Sequence, residues 1–333
     1  MKAVIKTEKE QELNLQEIAL PVLSNDEVLI KVEYCGICGS DLHAYKHSKG
    51  YEFVRKPVIL GHEFAGVVVD CFDDSISHLK GKRVIVESMN YCGECENCMN
   101  GRKSICAHIK VIGLHFDGGM AEFAKTKAKQ VREIPTGMPL NIAALSEPMS
   151  IAVHAVRRAG VISKSDTILI QGPGIIGFFV SLILAQKGAK VYLSGLEKDY
   201  ESRLSKCKTF GVIPHIVKSG NLEEKVDMVF ECSGSNAAVK TGFHSLKKGG
   251  NAIFVALYEH ETTLFLTELV RNEVSIITSY GCDPNDYQVA FSVLASLAEK
   301  LSDVIKMYPL SEVNQAFKDG MNQVVLKPML SIN

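Results

Sequence analysis

The run Thr167-Ile168-Leu169-Ile170 is followed almost at once by Gly172-Pro173-Gly174-Ile175-Ile176-Gly177, a Gly-x-Gly-x-x-Gly pattern. No other stretch constrains the fold as tightly. A continuous apolar run without alternation predicts a strand buried on both faces, which belongs in a parallel sheet. Gly172 permits a tight turn, Gly174 lets a pyrophosphate approach the backbone, and Gly177 lets the next helix lie against the strand. Ile176, Val180 and Ile183 recur at helical spacing, so Ile175 and Ile176 open a helix whose positive end faces the phosphates. Val191-Tyr192-Leu193, Val226 to Phe230, Ala252 to Val255 and Val274 to Ile277 predict further strands, and 199–210 a helix. The second half of the chain is therefore expected to be a doubly wound α/β domain.

In such domains an acid about twenty residues beyond the glycines binds the ribose hydroxyls and selects NAD. Ser194-Gly195 stands at that place, and the first acid after it is Glu197. NAD is favoured over NADP because no arginine follows directly, although Lys198 and Arg203 are near.

The first half reads differently. Val28 to Val32, Gly66 to Val69 and Arg83 to Val86 are β-branched runs between glycines, and helical periodicity is scarce before residue 140. An all-β domain with loops is expected there. One loop carries Cys92-x2-Cys95-x2-Cys98-x7-Cys106, four thiolates able to surround one zinc ion and leave no position open. Two disulfides are the competing reading, and a reducing compartment argues against them.

A second group of metal-binding residue types is spread more widely. Cys38, with Ser40, Asp41 and His43 close behind, is followed by Gly61-His62-Glu63. Thiolate, imidazole and carboxylate are the ligand types that zinc accepts, and a catalytic zinc needs only three of them. Cys38 and His62 are the first two; Glu63 and Glu147 compete for the third place. Asp41 is suited to orient the His62 ring. Ser40 and His43 are candidates for proton relay.

Composition removes other classes of function. A net charge of -1 and the absence of any Lys/Arg block give no general affinity for nucleic acid or anionic membranes. The start, Met1-Lys2-Ala3-Val4-Ile5-Lys6, lacks the apolar core of a signal peptide, and the longest apolar stretch, 174–185, is too short for a bilayer. A cytoplasmic protein is expected.

Taken together, Cys38-Gly39-Ser40-Asp41, Gly61-His62-Glu63, the four-cysteine loop, Glu147-Pro148 and the glycine loop resemble the zinc-containing medium-chain dehydrogenases, in the branch of sorbitol, threonine and sugar-acid dehydrogenases. The resemblance implies a GroES-like catalytic domain with two zincs over 1–145, a Rossmann domain over 146–284 and a return to the first domain over 285–333. It implies oxidation of an alcohol to a ketone by hydride transfer to NAD(P), and a homodimer or homotetramer joined through the Rossmann sheets. The segments 111–119 and 147–158 look like those of bacterial L-galactonate or L-gulonate dehydrogenases, with hexitol, hexitol-phosphate and L-threonine dehydrogenases as alternatives. His115 and Tyr280 are candidates for the polar end of a substrate pocket, though a structural role serves both equally. A non-enzymatic NAD-binding regulator would be expected to lose a metal ligand or the glycine loop, and both are intact.

Overall fold

A computed structural model of the chain describes residues 1–218 and 222–332. It divides into two compact units, one of residues 1–147 and 283–332, the other of residues 148–282.

The first is a β unit. Its main sheet runs Val131–Glu133, Arg83–Val86, Glu63–Cys71, Glu27–Gly36, Lys327–Ser331, Ile305–Pro309, and Phe123–Lys127 also pairs with Glu27–Gly36. Val28, Ile30 and Val32 alternate inward along the central strand, as a half-buried antiparallel strand requires, and they join Val68, Val84, Val86 and Leu330 in one core. Register then decides where the chemistry lies. Gly36 pairs with Glu63 on one side and with Met329 on the other. The end of one strand, the start of a second and the chain's last strand therefore meet at one edge.

The return of the chain runs through an 18-residue helix, Pro284–Leu301, that the apolar pattern of the sequence did not bring forward. Asp283 caps it, Asp286 accepts from the Asp283 N–H at 2.8 Å, and Tyr287, Ala290, Phe291 and Leu294 form its buried stripe.

The second is an α/β unit with one six-stranded parallel sheet, ordered Ile213–Ile216, Lys190–Gly195, Thr167–Gln171, Val226–Glu231, Leu246–Phe254, Ser275–Thr278. In chain order this is third, second, first, fourth, fifth, sixth, the doubly wound arrangement that leaves a crevice beyond the ends of the first and fourth strands. Thr167–Gln171 is buried throughout, as its unbroken apolar run predicts. The apolar stretch of 174–185 is the buried helix Ile175–Gln186. The helix expected over 199–210 is an irregular helical run, with the tighter 3-10 turns Glu197–Asp199 and Ser205–Phe210 on either side of a wider π turn, Tyr200–Leu204. Asp199 holds the start of this run: its carboxylate accepts from the Leu196 N–H at 2.9 Å and pairs with Arg203 one turn on. No described helix is long and apolar enough to cross a membrane.

Candidate metal centres and dinucleotide loop

Four thiols converge in the loop over 92–106. Cys92 Sγ lies 3.5 Å from Cys106 Sγ and 3.9 Å from Cys98 Sγ, and Cys95 Sγ lies 3.8 Å from Cys106 Sγ. All ten cysteines of the chain are free thiols. Backbone N–H groups of Cys92, Cys95 and His108 point at these sulfurs at 3.3 Å, which favours thiolate. The N–H groups of Ala107 and Cys98 draw the Cys95 thiol down to about 6, whereas burial pushes Cys98 up to about 12. Four sulfurs at mutual contact suit a tetrahedral zinc with no vacancy. The lobe is moored to the unit by the Ser104 N–H, which donates to Asp283 Oδ1 at 2.9 Å.

The second group is buried at the sheet edge. Donor atoms of Cys38, His62 and Glu63 all lie within 4.8 Å of one another. Cys38 precedes the short helix Gly39–Tyr45, and Asp41 in its first turn accepts from the Cys38 N–H at 2.9 Å and from the Gly61 N–H at 3.2 Å. One buried carboxylate thus ties the two ligand-bearing segments together. Its Oδ1 is 3.6 Å from His62 Nδ1, and Ser40 Oγ is 3.2 Å from His62 Nε2. Gly61 permits this close approach. Its φ is +94°, and a Cβ there would fall 2.6 Å from Cys35 Sγ and 2.8 Å from Met120 Cγ.

Glu147 takes the place next to this group and not within it. Its Oε1 accepts from Ser88 Oγ at 2.7 Å. Between the two glutamates left open by the sequence, the geometry gathers Glu63 with Cys38 and His62.

The electrostatics of the pocket suit a cation. Burial alone would lower the His62 pKa, but the charges of Asp41, Cys38 and Glu147 hold it well above the ordinary imidazole value. Burial also raises Asp41 and Glu147. His62 Nδ1 and Glu63 Oε1 are buried without a hydrogen-bond partner. A thiol, an imidazole and a carboxylate with lone pairs left over are the donor set for zinc.

Lys327 was not foreseen. It is 1% exposed, pairs with Glu63 Oε2 and donates to the Ile37 carbonyl at 3.0 Å. Nothing in the sequence near Glu63 announces it, because it lies on the far C-terminal strand. His43 and His115 also have an unforeseen relation. His43 stacks on Tyr51 at 5.0 Å, Tyr51 on Phe53 at 5.8 Å, and Phe53 on His115 at 4.9 Å. His43 Nδ1 is 3.1 Å from Ser48 Oγ, and His115 Nδ1 accepts from the Val111 N–H at 3.0 Å. Tyr280 belongs to the α/β unit and is half-exposed.

In the α/β unit, Gly172 has φ +100° and a Cβ on it would lie 2.8 Å from Ser233. A Cβ on Gly177 would run into the Gly172 carbonyl, whereas one on Gly174, before the helix Ile175–Gln186, would meet nothing within 4 Å. Tight turn, close helix and open approach are thus assigned to Gly172, Gly177 and Gly174 in turn. Facing them at the end of the fourth strand, buried Glu231 accepts from the N–H and hydroxyl of Ser233, the N–H of Gly234 and the hydroxyl of Tyr258. Glu197 is exposed, and the buried acid after the second strand is Asp199.

A metal with a coordination position to spare and a dinucleotide loop are what a protein needs to take a hydride from an alcohol, so fold and site together define a metal-dependent dehydrogenase. Comparison with known proteins leads to the same class. Residues 24–136 match the alcohol dehydrogenase GroES-like domain and residues 176–296 the zinc-binding dehydrogenase domain. D-arabitol-phosphate dehydrogenase of Enterococcus avium is 33% identical over 95% of this chain and 93% of its own. Sorbitol dehydrogenase of Halalkalibacterium halodurans is 30% identical over 99% of both. A crystal structure of a zinc-binding dehydrogenase from Sinorhizobium meliloti bound to NADP superimposes with a TM-score of 0.89 at 26% identity, over 99% of each chain. The chain belongs to the zinc-containing medium-chain alcohol and polyol dehydrogenase family. It is an oxidoreductase of the kind that uses zinc and a nicotinamide dinucleotide.

Proposed function

We propose that the chain oxidises a secondary alcohol of a polyol or sugar acid, of hexonate type, to the ketone. The observation that carries the chemistry is the convergence of Cys38, His62 and Glu63 within 4.8 Å beside an anion-rich, buried pocket. These three residues would hold the zinc, which supplies Lewis acidity and makes a hydroxyl easier to deprotonate. Bound nicotinamide supplies the hydride acceptor. Asp41 Oδ1 lies 3.6 Å from His62 Nδ1, and its charge would favour one orientation of the ring. Ser40 Oγ, 3.2 Å from His62 Nε2, would accept the substrate proton as it gives up its own. His43 follows Ser40 on the helix Gly39–Tyr45 and carries the proton towards solvent, steadied by Ser48 and the Tyr51 ring. Ser40→Ala and His43→Ala should each lower kcat by about a hundredfold and leave the Kd for NADH unchanged.

A second reading, a polyol phosphate as substrate, is supported by the 33% identity to D-arabitol-phosphate dehydrogenase. A panel of hexonates, hexitols, pentitols and their phosphates, followed at the reduced-nicotinamide absorbance, separates the two. Turnover of none of them would end both.

We also infer a homo-oligomer joined through the edge strand Ser275–Thr278. Ile276 is exposed on that strand, and Phe265, Leu266 and Val270 are exposed on the neighbouring segment. An open edge beside apolar side chains is suited to pairing with a second copy. Ten free thiols favour a reducing, cytoplasmic setting.

A further inference from the structure

The end of the second parallel strand is where this class of fold reads the adenosine ribose. In this chain that end is built unusually. Gly195 cannot be replaced by an acid without displacing the glycine loop: a Cβ there would stand 2.7 Å from Cγ and 3.1 Å from Cδ of Pro173, which lies between the loop's first two glycines. Proline in the loop and glycine at the strand end therefore belong together. Ser194 turns its hydroxyl inward to the Ile170 carbonyl at 3.1 Å. The next buried acid, Asp199, is committed elsewhere. Its Oδ2 accepts from the Leu196 N–H at 2.9 Å and its Oδ1 from Arg203 Nη2 at 2.5 Å, with both side chains buried. Over 196–204 the turn carries Glu197, Asp199 and Glu201 against Lys198 and Arg203, and Asp199 and Arg203 pair with each other.

We propose that the chain has no ribose-reading carboxylate and accepts a dinucleotide bearing a 2′-phosphate as well as one without it. Gly195, closed off by Pro173, and Asp199, held inward by Arg203, are the residues that set this preference. A carboxylate selects NAD in two ways: it accepts from the ribose hydroxyls and it repels a phosphate in their place. Asp199 does neither, because its side chain is buried, each oxygen is turned to a partner within the turn and its charge is paired with Arg203. Asp199 is a positioning residue that shapes the 196–204 turn. Lys198, exposed on the same turn, supplies the cation that a 2′-phosphate needs.

The proposal rests on the reading of the glycine loop as a dinucleotide site, and binding measurements separate the two. NADH and NADPH are titrated, by nucleotide fluorescence, into the zinc-loaded full-length chain at one ionic strength. If neither binds, the dinucleotide reading falls and the proposal falls with it. If either binds, a Kd for NADPH less than about thirtyfold above that for NADH is the expected result, and a larger ratio overturns the proposal. Asp199→Asn should weaken both nucleotides together. A loss confined to NADH with a gain for NADPH would show Asp199 to be the ribose reader and overturn its assigned role. Because that variant disturbs a buried pair, exposed Glu197→Gln is the companion. The Kd ratio should stay within about threefold, and a larger move towards NADPH would make Glu197 the missing reader.

Discussion

The two metal-binding groups of the β unit use the same element type by different means. The four-thiol loop draws every donor from fifteen consecutive residues, partly exposed, with backbone N–H groups as its main electrostatic support. The Cys38 group draws its donors from two distant segments and its neighbouring charges from two more, Glu147 on a helix and Lys327 on a strand. A local loop can close around an ion completely, and so it can only hold structure. A site assembled from several strands can be left one donor short, and that shortage is what makes chemistry possible.

The sharpest test of this contrast is Cys38→Ser. Loss of the thiolate should empty the open site, and turnover should fall roughly a thousandfold or more, while zinc in the four-thiol loop and NADH affinity stay as they are. Metal content falling from two zincs per chain to one, beside a normal NADH titration, is the expected pair of readings. Loss of both zincs would show that the sites are not independent.

Lys327→Met addresses the buried counter-charge. Removing one partner of a fully buried ion pair leaves the other uncompensated, so the chain should lose about 3 kcal/mol of unfolding free energy. Added zinc should restore part of it by replacing the lost positive charge next to Glu63. Denaturant midpoints with and without zinc measure this; an unchanged midpoint in both would mean that Lys327 does not hold the open site together.

Cys95→Ser should act oppositely to Cys38→Ser. The loop has little apolar side chain of its own and depends on the ion for order, so proteolytic cleavage within 92–106 should become about tenfold faster. Turnover per folded chain should change far less than in Cys38→Ser. A larger loss of turnover than of order would erase the distinction between the two sites.

The smallest effect is expected where no metal is involved. Asp319 accepts from Lys306 at 2.8 Å, Tyr308 at 2.5 Å and Gln315 at 2.7 Å, and Lys306 with Tyr308 holds its carboxyl below the ordinary carboxylate value. A depressed folded pKa means stability that is present above the unfolded value, near 4, and lost as pH falls through the folded one. Asp319→Asn should therefore cost about 1 kcal/mol at neutral pH and almost nothing near pH 2, by urea unfolding at the two pH values. An equal cost at both would assign the effect to shape and not to charge.

The sequence showed some parts of this plainly and others not at all. The four-thiol loop was legible because its donors are neighbours in the chain. The glycine loop was legible because its spacing is local, and backbone demands are visible at Gly172 and Gly177. Cys38, His62 and Asp41 were legible because they fall in two short segments of suitable chemistry. The choice between Glu63 and Glu147 was not, since both are buried acids near the same histidine, and they differ by place in the fold, Glu63 on a strand paired with Gly36 and Glu147 at the start of the helix Ser146–Arg158. The helix Pro284–Leu301 had a readable start in Asp283-Pro284 and Asp286, and its apolar stripe was passed over. The run after Leu196 read as a regular helix because apolar spacing does not separate an α-helix from a mixture of 3-10 and π turns.

By itself the sequence determined the two classes of unit, the closed metal loop and the nucleotide turn, for these depend on residues within a few positions of one another. Tertiary structure alone gathered Glu63 with Cys38 and His62, paired Glu63 with Lys327 and set the Pro173 ring against Gly195. Those outcomes depend on which strands lie side by side and on atoms brought within about 3 Å across the fold, and no local pattern encodes that proximity.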